Sequence, residues 1–347
     1  MRTNQPACGT GKRRRTAPAV PLLLVALALA ACQSTPPAPP TALRRSLEAL
    51  EKEGVKALEE GRYAWALRLF REAETIARST DNRVALANAF NNQGAVLQRM
   101  GRTEDAARAL RAALELNEAL QRTEDRGKNY LNLFVLELRR PETDLARARE
   151  YNRKAAEIFE DLGDEAGELH ARNNEGVLRL LEEDFDGAEE IFHDVRSDAD
   201  TEETARIHAA SLSNLGRVAE KTGRLDEALR FYEQALALDR TLELFTGVAV
   251  NLEAIARVQV RRGRKDRAVE ALQRALDVVL LGLEWKPWIN RLLGRCEKLL
   301  EELGRPAEAR KLRERVRLEM ERAAKEKARR DKARYERILG ELRLEDK

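Results

Sequence analysis

Four asparagines at near-constant spacing are the residues of this sequence best placed to do chemistry. Asn92, Asn132, Asn174 and Asn214 are separated by 40, 42 and 40 residues, and Asn91, Asn173 and Asn88 stand beside them or one turn away. Asparagine is a mediocre helix former, so local propensity gives no reason for four in register. A carboxamide carries a donor and an acceptor together, which is what a peptide group needs. A row of carboxamides along one face reads an extended backbone rather than a side-chain sequence. The same groups would also serve to hydrogen-bond a neighbouring helix, and the sequence leaves both roles open. Arg217 and Arg257 lie 40 residues apart, with Arg217 one turn beyond Asn214, where they would add attraction for acidic side chains.

Other chemistry is hard to assemble from these residues. The cysteines are Cys8, Cys32 and Cys296, and the histidines are His170, His193 and His208, none at metal-ligand spacing with another. HExxH, GxSxG and GxxxxGK[ST] are missing from the sequence. Acidic residues are scattered along polar stretches. The expectation is a non-enzymatic chain without a cofactor, a metal or a small-molecule substrate. Charged residues make up 35% of the chain and aromatics 5%, a mix that suits long solvated helices better than an enzyme core. The formal charge of +3 is misleading, because residues 1–31 hold five Arg/Lys and no acid; without them 58 basic residues face 60 acidic ones, a balance of −2. General nucleic-acid binding, which depends on neutralising several phosphates, is not expected of such a surface.

The elements that must position the asparagines follow from periodicity. Residues 209–240 read as two helices around a turn at Thr222-Gly223-Arg224. Leu212, Leu215, Gly216 and Ala219 share one face of the first; Leu225, Ala228, Leu229, Tyr232, Ala235 and Leu236 share one face of the second. The small residue of the second helix recurs as Ala66, Ala106, Ala148, Ala188, Ala228, Ala268 and Ala309, at spacings of 40, 42, 40, 40, 40 and 41. A second small column follows seven residues later, at Ala73, Ala113, Ala155, Val195, Ala235, Ala275 and Val316. The turn column is Gly61, Gly101, Pro141, Glu183, Gly223, Gly263 and Gly304. So long and regular a period predicts stacked helical hairpins, each too small to bury its apolar face alone.

The stretch Leu212, Leu215-Gly216, Ala219, Ala228, Tyr232, Ala235 resembles the tetratricopeptide repeat family. The resemblance covers residues 42–318, and the period of about 40 residues is similar to the longer-repeat branch of the family. It implies an all-α fold, a right-handed α-solenoid of about seven hairpins ending in a long charged helix at residues 319–347. The pattern is strong in the second, fifth and sixth repeats. It weakens in the third, where Asn152 stands at the aromatic position, and in the seventh, where Arg313 does. In tetratricopeptide proteins the asparagine-bearing part of the first helix faces the concave groove. The resemblance therefore implies that Asn92, Asn132, Asn174, Asn214, Asn91, Asn173, Arg217 and Arg257 contact a protein or peptide partner there.

The N-terminus reads as a targeting segment. Arg2 and Lys12-Arg13-Arg14-Arg15 precede an apolar run at residues 20–31, a length that fits a signal peptide and not a membrane span. The run ends Leu29-Ala30-Ala31-Cys32, which resembles the lipobox of bacterial lipoproteins. That resemblance implies cleavage before Cys32, acylation of Cys32, and a stable anchor of several chains. An ordinary secretory signal with a chance cysteine is the alternative. Gln33 after the cysteine favours the outer membrane over the inner. Residues 33–41, QSTPPAPPT, form a proline-rich linker that would hold the solenoid about 25–30 Å off the anchor. At the other end, residues 317–337 carry nine basic and five acidic residues on a helix whose apolar positions are mostly alanine, before Tyr335, Ile338, Leu339 and Leu342 restore an apolar stripe. The sequence thus predicts a lipid-anchored periplasmic scaffold that holds a protein partner in its groove. A structural spacer acting through the charged C-terminal helix is the second reading. Trp285 and Trp288 are expected to pack at a repeat junction, and Cys296 to act as a small buried hydrophobe.

Overall fold

A computed structural model of the chain describes residues 42–59, 61–140, 142–195, 201–282 and 286–345, with side chains described at 47–280 and 287–326 within those bounds. The signal segment, Cys32, the proline-rich linker, Pro141, Trp285 and the side chains of Tyr335, Ile338, Leu339 and Leu342 lie outside the described residues. The chain divides into Met1–Arg44 and Arg45–Lys347, and the second unit holds the whole solenoid core.

Fourteen helices make up the described residues, with no strand among them. They form seven consecutive hairpins: α1 (Ala42–Glu59) with α2 (Tyr63–Ser79), α3 (Arg83–Arg99) with α4 (Thr103–Ala119), α5 (Thr123–Glu137) with α6 (Leu145–Leu162), α7 (Glu165–Leu181) with α8 (Phe185–Val195), α9 (Glu202–Lys221) with α10 (Leu225–Thr241), α11 (Phe245–Arg261) with α12 (Lys265–Gly282), and α13 (Lys286–Glu302) with α14 (Pro306–Glu345). The expected α-solenoid is the observed fold.

Six of the seven turns inside hairpins are closed by one residue in the left-handed region, at Gly61, Gly101, Glu183, Gly223, Gly263 and Gly304. Gly223, at φ 80°, donates to the Glu220 carbonyl, and Arg224 N–H donates to the Ala219 carbonyl at 2.8 Å. Glycine takes that conformation without the Cβ clash other residues meet. Glu183, in the same column, takes it at φ 65° without that freedom. Helix starts are fixed by side chains where the sequence supplies them. Asn82, Asp144 and Asp164 each accept from a backbone N–H three residues on, and Thr201 and Thr204 make a reciprocal capping pair at α9.

The two small-residue columns are buried throughout, from Ala66 and Ala73 to Ala309 and Val316. Their partners are set by a third column on the odd helices. A Cβ added to Gly54, Gly94, Gly176 or Gly216 would lie 2.5–2.7 Å from Phe70, Leu110, Phe192 or Tyr232. The large side chain of the even helix thus fills the space left by the glycine opposite. In the third hairpin the pair is inverted. Phe134 occupies the glycine position, buried against Ala148 and Leu178, and the smaller Asn152 occupies the aromatic position, where its Nδ2 donates to the Ala171 carbonyl at 2.9 Å. The third repeat therefore keeps the same total bulk across the seam while exchanging which helix provides it. In the seventh, Glu297 stands at the glycine position, seven residues before the turn glycine, and pairs with Arg313 at the aromatic position at 2.6 Å, while the neighbouring Cys296 is fully buried. Trp288 is buried and donates to Glu253 at 3.0 Å, while Trp65 bridges α1 and α2 by donating to Glu53 at 3.2 Å.

Successive helices pack on one another along the chain, and the odd helices also touch each other: α3 with α5, α5 with α7, α7 with α9, and α9 with α11; at the C-terminal end the even helices α12 and α14 touch as well. Elements on the inside of a curved stack come closest, so the odd helices line the concave side. An ion pair spans that side directly. Arg206 of α9 lies 3.3 Å from Glu59 of α1, although three hairpins lie between theirs in the chain.

Candidate concave binding site

Helix periodicity decides what faces the groove. On α3 the inner face carries Asn88, Asn91, Asn92, Ala95 and Arg99; on α5, α7 and α9 the equivalent positions follow at the repeat spacing. All four asparagines of the column lie on these odd helices, and their surroundings divide them into two kinds. Asn132 donates to Asn91 Oδ1 at 2.9 Å, across the seam between α5 and α3. Asn214 donates to Asn173 Oδ1 at 3.2 Å, across the seam between α9 and α7, and accepts from Arg217. Asn92 and Asn174 are half-buried, and neither carboxamide forms a hydrogen bond among the described residues. The seam bonds leave one carboxamide in two unspent, so the column is part truss and part open donor–acceptor surface.

The seam bonds extend into a network that periodicity did not foretell. Asn91 Oδ1 also accepts from Asn129, which accepts from Asn117, so four carboxamides join α3, α4 and α5. The fifth and sixth hairpins repeat the arrangement with an acid. Ser213 donates to Asn251 Oδ1 at 2.6 Å, and Asn251 Nδ2 donates to Asp239 Oδ2 at 2.7 Å. Asp239 is buried against the backbone of Gly247, and burial pushes its carboxyl up to about 6, opposed only by the Asn251 bond. Arg122 donates to Asn88 at 3.0 Å, which draws that side chain toward the α4–α5 turn.

The two arginines of the site part company. Arg257 makes a bidentate pair with Glu220, at 2.7 and 2.8 Å. Tyr232 donates its hydroxyl to the same carboxylate at 3.0 Å, and Arg261 donates to the Glu220 backbone carbonyl. Burial raises the Glu220 carboxyl, but Arg257 and Tyr232 outweigh it and hold the group below the ordinary carboxylate range. Arg257 is thus committed within the protein, a correction to its expected availability for a partner's acidic side chains. Arg217 has no carboxylate partner among the described residues and keeps one bond, to Asn214 at 3.3 Å. Desolvation by the surrounding protein lowers its pKa first, and neighbouring Arg257 adds to that.

Two further groove arginines escaped the reading of the asparagine column. Arg99 and Arg139 occupy equivalent positions on α3 and α5, 40 residues apart. Arg139 donates to the Gln98 carbonyl at 3.3 Å and has no carboxylate partner among the described residues. Surrounding protein, and then the like charge of Arg99, lower its pKa. The signal was in the sequence as a second 40-residue column, but a pair of arginines in an arginine-rich chain does not stand out without the fold.

Comparison with known proteins agrees with this architecture. The tetratricopeptide repeat family matches at residues 54–119 and 207–280. The outer dynein arm-docking complex subunit 4 of Danio rerio is 34% identical over 98 residues, which are 28% of this chain and 19% of that protein, so the match spans about a fifth of that relative's length. Among solved structures, the Rap conjugation gene regulator of plasmid pLS20 in complex with the Phr* peptide superimposes with a TM-score of 0.59 at 15% identity, covering 82% of this chain and 76% of that one. The quorum sensor NprR in complex with its cognate peptide NprX gives 0.56 at 13% identity, covering 80% and 76%. At these identities the likeness is one of fold.

Proposed function

We propose that the chain is a scaffold that holds an extended segment of a protein partner in its concave groove, from a lipid anchor at Cys32 on the periplasmic face of a bacterial outer membrane. The observation that carries the groove reading is the pair of unbonded carboxamides, Asn92 and Asn174, on the inner helices. A carboxamide in a groove without an internal partner is ready to exchange its water for the donor and acceptor of a peptide group. The seam bonds of Asn132 and Asn214 hold neighbouring inner helices in the register that lines the open rungs up. Two proteins of similar fold and low identity have been solved with peptides bound, which supports the reading without supplying a partner.

The direct test is site-specific photo-crosslinking in cells. A photoreactive residue at Ala95, on the inner face of α3, should give a crosslinked partner, while the same residue at Glu270, exposed on α12, should not. Equal crosslinking at both sites would overturn the groove reading. The anchor rests on the residues around Cys32 and has its own test. Cys32→Ser should abolish acyl labelling and leave an unprocessed or soluble precursor; a labelled variant that still partitions into detergent would remove the lipoprotein reading.

A further inference from the structure

Helix α9 starts earlier than its repeat requires. At the repeat spacing the first residues of α3, α5, α7 and α11 (Arg83, Thr123, Glu165 and Phe245) all fall on Ala205, yet α9 begins at Glu202 and runs 20 residues against 15 or 17 for those four. The extra turn is anchored, because Thr201 and Thr204 make the reciprocal cap and Thr204 is buried. Its two acids both act on other parts of the inner wall. Glu202 pairs with Arg206 at 2.8 Å, one turn on, and Arg206 reaches Glu59 at the end of α1. Glu203 acts on the helices between. Burial lowers the His170 pKa on α7, and Glu203 is the first charge that opposes it. At Lys128 on α5 burial again disfavours the charged form, and Glu124, Asp125 and then Glu203 outweigh it. The first turn of α9 thus faces α1, α5 and α7 together.

The two residues that meet across the concave side are exceptions in their own columns. The equivalents of Glu59 are Arg99, Arg139, Leu181, Lys221 and Arg261, and then Glu302, which pairs with Lys265 of its own hairpin. The equivalents of Arg206 on α3, α5, α7 and α11 are Val84, Glu124, Ala166 and Thr246. A reversed charge in one column therefore finds an added cation in another, 147 positions along the chain. The pair is open to water, with 50% of the Glu59 side chain and 37% of the Arg206 side chain exposed. An ion pair so exposed adds little stability and weakens with salt. Such a contact is specific in place and weak in strength. In a stack of hairpins each repeat touches only its neighbours, so small rotations at the interfaces between hairpins one and five add up at this contact. The structure can therefore open there without breaking any one interface.

Resting on the groove reading above, we infer that the first turn of α9 is an electrostatic gate on the groove, with Glu59 and Arg206 as its clasp. Closed, it joins hairpin five to hairpin one across the concave side. Open, it admits a polypeptide segment too bulky to thread beneath it. Glu202 keeps Arg206 extended toward Glu59, and Glu203 holds the turn over α5 and α7.

The test uses the full chain and two readouts. Spin labels carried by non-natural residues at the positions of Lys52 on α1 and Ala210 on α9, both exposed, report the distance across the groove by pulsed electron paramagnetic resonance. The parent at about 50 mM salt should give one short, narrow distribution that lengthens and broadens at about 500 mM. Arg206→Glu should give the long distribution at low salt. Joining Glu59→Arg to Arg206→Glu should bring back the short one, which a variant that merely folds poorly would not do. The second readout is access to Ala95→Cys on the inner face of α3, with the parent as blank and Cys296 fully buried. Maleimide carried on a polyethylene glycol chain should react about two- to fivefold faster in Arg206→Glu, the range an exposed ion pair supplies. The rate with N-ethylmaleimide, small enough to pass the closed gate, should not change. A distance that neither salt nor Arg206→Glu moves would overturn the clasp. A distance that lengthens while the polymer rate stays at the parent value would overturn the gate and leave the groove reading standing. An Ala95→Cys variant that melts with the parent yet resists N-ethylmaleimide would overturn the groove reading and the gate together.

Discussion

Asp239→Asn should stabilise this protein at neutral pH, and the reason lies in the repeat itself. Asp239 at the α10–α11 seam stands where the second hairpin places Asn117, and both meet an asparagine of the next helix, Asn251 and Asn129. Ser213 fixes Asn251 by donating to its carbonyl oxygen, so the Nδ2 must point at Asp239. An amide at position 239 offers the same acceptor without the charge. The carboxyl titrates near 6 in the fold against an ordinary 3.8, because burial against Gly247 disfavours the ionised form. A folded pKa above the unfolded one means that the folded state binds the extra proton. The group's stabilising effect is then complete below about pH 4 and lost as pH rises through about 6. A gap of about two pH units corresponds to at most about 3 kcal/mol, and solvent reaching the seam reduces it, so a gain of about 1–3 kcal/mol is expected for the variant at pH 7.5. Urea denaturation followed by circular dichroism at several pH values, with hydrogen exchange to localise the change to α10 and α11, reads both quantities. The parent should lose stability from pH 4.5 to 7 relative to the variant. A variant less stable than the parent at pH 7.5, or parallel pH profiles, would refute the reasoning.

The inverted third hairpin gives a second expectation: Phe134→Ala should cost about 3–5 kcal/mol, as for a fully buried ring, measured by denaturation. Joining Phe134→Gly to Asn152→Phe, which restores the arrangement of the neighbouring hairpins, should cost about 1–3 kcal/mol less than the two changes summed; strict additivity would mean the two positions do not share one space. At the α7–α8 turn, Glu183→Gly should raise stability by about 0.5–1 kcal/mol by relieving the left-handed backbone, and a lower melting temperature would contradict the strain assigned there.

Much of this architecture was legible in the sequence, because two small-residue columns repeat seven times and a turn glycine five times, and each copy confirms the others. What escaped the sequence was pairwise. Asn152 looked like a defect when only the aromatic column was followed; read together with Phe134 across the seam, it is half of an exchange of bulk. The asparagine column was visible, but the direction of each carboxamide depends on a partner about 40 residues away. Asn132 turns to Asn91 and Asn214 to Asn173, while Asn92 and Asn174 meet no such partner among the described residues. Arg257 and Arg217 looked equivalent by spacing. Glu220 lies one turn after Arg217 on α9, yet it bonds Arg257 of α11, a distinction that depends on how the two helices are rotated about their axes.

The central claim is that the open carboxamides of the groove, rather than the bonded ones, hold the partner. Asn92→Ala and Asn174→Ala remove no internal bond, whereas Asn132→Ala leaves Asn91 one donor short. The decisive measurement is titration calorimetry of the crosslinked partner segment against these three variants, alongside their melting temperatures. The account predicts that Asn92→Ala and Asn174→Ala melt with the parent and each lose about 0.5–1.5 kcal/mol of binding, compounding in the double variant, while Asn132→Ala melts lower. A double variant that melts and binds like the parent would contradict it, and the column would then be a truss between helices and nothing more.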